Sequence, residues 1–182
     1  MRTGLACWYL TRQRGEKPGK NDSPKLYLFL QKQNKIKKKL KKNNLPAEIV
    51  SRMMENDTYS QWLGINIDEV SEGFCSLTMV VRKEMLNGFG IAHGGIAFSL
   101  ADSALAFAAN SHNKKSLALD ASISFTTPVK ENDRLTAIAE EVNLTRKTGI
   151  YYINVQNQDG KKVALFKGIV FRKDEEWFAA TE

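Results

Sequence analysis

Residues 87–107 read NGFGIAHGGIAFSLADSALAF. A lead-in containing Gly88, Gly90, Gly94 and Gly95 runs into a segment built almost wholly from Ala, Leu, Ile and Phe. Within it, Ile96, Ala97, Phe98, Leu100, Ala101, Ala104, Leu105, Phe107 and Ala108 cover most of a helical circumference, the pattern of a helix buried on nearly every side. The polar residues of its body are Ser99, Asp102 and Ser103, at i, i+3 and i+4, which makes one narrow stripe. Burying an ionised carboxylate without partners is costly. Asp102 is therefore either satisfied by Ser99 or a strand backbone group, or kept for chemistry.

The lead-in favours chemistry. Free N–H groups at a helix N-terminus, with no Cβ in the way at Gly94 and Gly95, form a donor site for a developing oxyanion. An acceptor-only carboxylate near such a donor is what hydrolysis by activated water requires. Asn87 and His93 stand in the same turn. Other motifs fit less well. Gly88 and Gly90 begin a GxGxxG, but His93 occupies its last position and no parallel βαβ strand precedes it. Ser99, His93 and Asp102 are triad residues by composition only, because there is no GxSxG elbow. With His93 and His112 the only histidines, no metal site is expected. Cys75 falls on the apolar face of a strand and reads as core, and His112 as a surface residue in a turn.

Outward from this helix, the flanks alternate with period two. Leu63, Ile65 and Ile67, then Cys75, Leu77, Met79 and Val81, predict two strands before the helix. Residues 117–125, 134–142, 149–156 and 163–171 predict four more after it, with NQDG at 157–160 as a hairpin turn. LPAEIVSRMMEND, at 45–57, predicts a further helix with Pro46 near its start. The expected class is α+β, with mostly antiparallel strands around one central helix.

The net charge of +7 is not a property of this domain. Residues 1–44 hold 13 Lys and Arg against 2 Asp and Glu, whereas residues 45–182 hold 14 against 18. The expected organisation is a basic extension over 1–44, flexible or partly helical, and a single domain over 45–182. The acidic balance of the domain gives no reason to invoke nucleic acid. No apolar run is long enough for an integral membrane segment, and the start of the chain lacks a signal-peptide core. Cys7 and Cys75 read as free thiols in a reducing cytoplasm.

Three stretches carry a family resemblance: NGFGIAHGGIAFSLADSALAFAANS, ISFTTPVKENDRLTAIAEEV and TRKTGIYYINVQNQDGKKVALFKG. Over residues 46–172 the sequence resembles the hotdog-fold acyl-CoA thioesterases, most of all the PaaI-type branch of phenylacetic acid degradation. The resemblance implies a six-stranded antiparallel sheet wrapped around the long helix, and homodimers that assemble into homotetramers. It implies Asp102 as general base or nucleophile, the Gly94 N–H as oxyanion donor, Asn87 as an oxyanion or positioning contact, and His93 as the residue that orders the loop. The implied substrate is an acyl-CoA, aromatic phenylacetyl-type acyl groups included, and no cofactor is implied. Gly95 and Phe89 are candidate substrate contacts; Arg146, Lys147, Lys167 and Arg172 are candidate cations for the CoA phosphates. Where some relatives carry a water-orienting hydroxyl on the strand after the helix, this chain has Ala118. The alternative reading is a non-catalytic hotdog protein that binds acyl-CoA or an acyl carrier.

Overall fold

The structure, a computed structural model, describes residues 44–179. Residues 1–43 of the basic extension, with its candidate helical segment and Cys7, lie outside the described residues, and its last residue, Asn44, belongs to the first described helix. Helix α1 runs through residues 44–56 and sinks Ile49 and Val50 into the core. A short helix, α2 (Thr58–Leu63), follows, and then strands β1 (Asn66–Ser71) and β2 (Phe74–Val80). A 3₁₀ turn at Lys83–Met85 leads to the long helix α3 (Gly94–Asn110). Strands β3 (Lys114–Phe125), β4 (Arg134–Leu144), β5 (Thr148–Gln156) and β6 (Lys162–Glu176) complete the chain.

The six strands form one sheet in the order β1-β2-β4-β5-β6-β3, and every pairing is antiparallel. The sheet curls round α3, which touches all six strands. Ten of the seventeen α3 residues are buried, so this helix is the centre of the core rather than a cover over it. Its alanines permit close approach, and β6 answers with Gly168. A Cβ at Gly168 would collide with the Leu105 side chain, so only glycine lets the strand lie against that turn of α3. The hairpin at 157–160 forms as expected: Asn157 Oδ1 accepts from the Asp159 and Lys161 N–H groups, and Gly160 takes φ +73°.

Two local expectations change. Leu63 is not a strand residue but the last residue of α2. Asp57 caps that helix by accepting from the Ser60 N–H at 2.9 Å, and Gly64 ends it in the left-handed region at φ +74°. The strand begins at Asn66, and Ile67 points outward. His112 is half-buried instead of free on the surface. Its Nε2 lies 2.6 Å from Glu141 Oε2, which also accepts from the buried Tyr151 hydroxyl at 3.0 Å. Cys75 is core as expected; burial, and then the nearby Asp68 charge, push its thiol up to about 12.

β3 is an edge strand and an unusual one. It carries Leu117, Leu119 and Phe125 in the open, with Leu119 65% exposed beside a register shift between Ala118 and Asp120. Among the described residues no helix is long and apolar enough to cross a membrane.

Candidate active site

The loop before α3 is built by its own backbone. Leu86 and Ala92 bridge antiparallel, and the Asn87 N–H donates to Ile91 O at 2.8 Å. Asn87 Oδ1 accepts from the Phe89 N–H at 2.9 Å, and Gly90 closes the turn at φ +72°. The turn lifts Phe89 into solvent, 90% exposed. At its far side the His93 N–H donates to Met85 O and the Ala92 N–H to Val129 O, which fixes where α3 starts.

His93 is the N-cap. Its Nδ1 accepts from the Gly95 N–H at 3.0 Å, so Nδ1 is unprotonated, and its carbonyl accepts from the Ile96 N–H at 2.8 Å. The donor left over is the Gly94 N–H, which has no acceptor among the described residues. It sits at the positive end of a seventeen-residue helix. Both positions are tight: a Cβ at Gly94 would lie 3.0 Å from the Phe125 ring, and one at Gly95 would lie 3.1 Å from His93 Nδ1, so either side chain would have to shift to admit it. Gly95 thus keeps the cap intact, while its own N–H is already committed.

Asp102 lies two turns further along, partly buried, with no hydrogen-bond donor to its carboxylate among the described residues. Burial, and then the negative charge of Asp57, hold its pKa above the ordinary carboxylate range. The other members of the polar stripe have different employment. Ser99 Oγ is 3.0 Å from the Tyr59 hydroxyl, and Ser103 Oγ is 2.9 Å from Ser60 Oγ, which in turn donates to Asp57 Oδ2 at 2.6 Å. Two serines dock α2 onto α3, and the carboxylate between them stays free. The alternative that Asp102 is satisfied by Ser99 is not what the structure contains.

A cavity of about 380 Å³ opens beside Asp102. Its walls include Met53, Leu105, Ala106, Ala118 and Trp177, with Lys115 and Lys173 also at its margin. Ala118 therefore stands beside the carboxylate without offering it a hydroxyl. Phe89 is not part of this wall. Among the candidate cations, three converge. Arg146 and Lys147 reach Asp174 at 3.5 and 2.7 Å, and Arg172 Nη1 donates to Thr145 O at 2.5 Å while its Nε has no partner among the described residues. Lys167 stands apart, in a shallow cleft with Ser122, Tyr152 and Leu165. Its neighbour Gly168 faces Leu105, so by strand alternation Lys167 points to the outer face of the sheet. Trp177 was missed from the sequence because it follows the last periodic strand segment.

Comparison with known proteins bears on the family and the fold. The thioesterase superfamily matches residues 89–164, which spans the loop, α3 and the strands up to the start of β6. A putative esterase of Archaeoglobus fulgidus is 42% identical over 137 residues, 75% of this chain and 89% of its own. The acyl-coenzyme A thioesterase PaaI of Escherichia coli is 45% identical over 116 residues, 64% of this chain and 83% of its own. The solved structure of the E. coli PaaI protein superposes with a TM-score of 0.72 at 40% identity, covering 74% of this chain and 97% of that one. With the same sheet, the same buried helix and this degree of identity, the chain belongs to the thioesterase superfamily, as a PaaI-type thioester hydrolase of the hotdog fold.

Proposed function

We propose that the protein hydrolyses acyl-CoA thioesters, arylacetyl-CoA such as phenylacetyl-CoA among them, to the free acid and CoA. The observation that carries this reading is a carboxylate with no internal donor, raised pKa and an apolar cavity at its side. Asp102 takes a proton from water as the water oxygen attacks the carbonyl carbon. The oxyanion that forms is held by the Gly94 N–H, with the Asn87 side-chain amide positioned nearby. The C–S bond breaks, and the thiolate leaves with the proton that Asp102 returns. A thioester has a good leaving group, so this modest apparatus suffices. Arg146, Lys147 and Arg172 are the cations we assign to the CoA phosphates; Lys167 has the weaker claim. The cytoplasm, where CoA esters and free thiols coexist, is the compartment this reading assigns.

The reading needs two chains. Gly94 and Asp102 are eight residues apart on one continuous helix, about 12 Å along its axis. One carbonyl group cannot meet both, since attacker and donor must each stand about 3 Å from it. The open edge of β3, with exposed Leu117 and Leu119, supports antiparallel pairing with a second copy across a twofold axis. Gly94 of one chain then faces Asp102 of the other. Exposed Tyr152 and Leu165 on the outer face support a second contact that would make a tetramer.

The direct test is to supply phenylacetyl-CoA and a range of other acyl-CoAs and follow free thiol. Thiol release is expected, and a chain beginning at Asn44 is expected to match the full chain, because every residue assigned a role lies after it. No release from any ester would leave an acyl-CoA-binding protein instead. The pH profile is a second check. A general base works only when ionised, so kcat/KM is expected to fall with pH at a value above the ordinary carboxylate range. Asp57→Asn removes the neighbouring charge that adds to the effect of burial, while an asparagine still caps α2. The acid limb is then expected to move to lower pH. An unmoved limb would mean that Asp57 does not tune the base.

A further inference from the structure

The cavity beside Asp102 runs along α3, and its two ends differ. Of the α3 residues that line it, Asp102 comes first and Asn110 last, eight residues and about 12 Å further along the helix. At the Asn110 end stands Trp177, from the segment after β6. Its indole N–H donates to Asn110 Oδ1 at 2.7 Å. Asn110 cannot swing away. It is buried, its Oδ1 also accepts from the Ser116 N–H at 2.9 Å, and its Nδ2 donates to Ala106 O and Ser116 O at 2.8 and 3.0 Å. The backbone after the tryptophan is clamped as well, since Phe178 and Asn113 exchange hydrogen bonds in both directions, at 3.0 and 2.8 Å. Lys115 lies 6.0 Å over the indole ring and is itself held by Glu175 at 3.0 Å. A large aromatic group is thus fixed from several sides at one end of a space whose other end holds the base.

Resting on the thioesterase reading, we infer that Trp177 is the end wall of the acyl pocket and sets the length of acyl group the enzyme accepts. With the thioester carbon at Asp102, the space to the indole suits an arylacetyl or medium-chain acyl group. A long-chain acyl group has to displace Trp177, and with it the Asn110 network. An aryl ring that reaches the end gains contact with the indole, in offset or edge-on geometry.

The test is the acyl-chain profile of kcat/KM, from acetyl- through octanoyl- to palmitoyl-CoA, with phenylacetyl-CoA included. Two variants of the full chain push it in opposite directions. Trp177→Ala opens the end, and the palmitoyl-to-octanoyl ratio is expected to rise about tenfold or more, the scale on which hydrophobic pockets discriminate length. Ala106→Leu fills the space midway between Asp102 and Asn110, and octanoyl-CoA is expected to fall relative to acetyl-CoA by a similar factor. If Trp177→Ala does not fold, Trp177→Leu, which also shortens the wall, takes its place. A folded variant pair in which every ester changes by one common factor overturns the end-wall role and leaves the thioesterase intact. Absence of thiol release from the wild-type protein with any ester overturns both.

Discussion

Asp102→Asn is expected to lower kcat by about 10²–10⁴-fold, the usual cost of removing a positioned general base. The amide is nearly isosteric but cannot take the proton. KM is expected to change far less, because the cations assigned to CoA lie at the β4–β5 turn and on β6. Stability supplies an independent sign. Since burial and Asp57 raise the Asp102 pKa, the folded chain holds more protons there than the unfolded chain between the ordinary carboxylate value and the raised one. Whatever stability the protonated carboxyl contributes is present at low pH and lost as pH rises through the folded value. The neutral amide escapes that loss. At neutral pH the variant is therefore expected to melt at the wild-type temperature or above it, while turnover collapses. Opposite signs in rate and stability mark a group kept for chemistry. A variant that retains near wild-type turnover would make Asp102 structural.

Much of the fold was legible because its periods are clean. The all-round apolar stretch from Ile96 to Ala108 predicts the buried helix, and period-two runs predict the strands that surround it. The errors share a physical cause: a local pattern with two solutions, or a contact with no local pattern. Leu63, Ile65 and Ile67 alternate like a strand, but Asp57 and Gly64 bracket a short helix that takes Leu63 with it. Those two end signals were in the sequence and outrank three apolar residues. No such signal exists for His112 and Glu141, which meet across 29 positions of chain. Asp102 is visible in the sequence as the one carboxylate of an apolar helix, whereas the pairing of Ser99 and Ser103 with α2 is not, because it depends on where Tyr59 and Ser60 dock. Trp177 belongs to the same class: its importance comes from Asn110, 67 residues earlier. A candidate base can be found from chemistry and spacing, whereas the walls of its pocket come from segments that only the fold brings together.

Mixing two inactive variants is expected to restore activity if the site is shared between chains. One variant is Asp102→Asn. The other is Gly94→Val, whose added carbons meet the Phe125 ring, already 3.0 Å from where a Cβ would stand, and crowd the N–H that holds the oxyanion. Each homodimer has two defective sites. A mixed dimer places both lesions in one site and neither in the other, because each site takes its glycine from one chain and its carboxylate from the partner. Equal mixing with random exchange makes half of the dimers mixed, and each of these has one working site of two. Activity should approach about a quarter of the wild-type value, provided sites act independently. If the exposed β3 edge is the surface that joins the subunits, dilution or mild denaturant that separates them should speed the recovery. The helix geometry makes the outcome decisive. If exchange is complete, as mass tags on the two variants can verify, and the mixture stays inactive, Gly94 and Asp102 must serve one thioester from within one chain. A span of about 12 Å along a continuous helix does not allow that, so one of the two residues would then have to be removed from the mechanism.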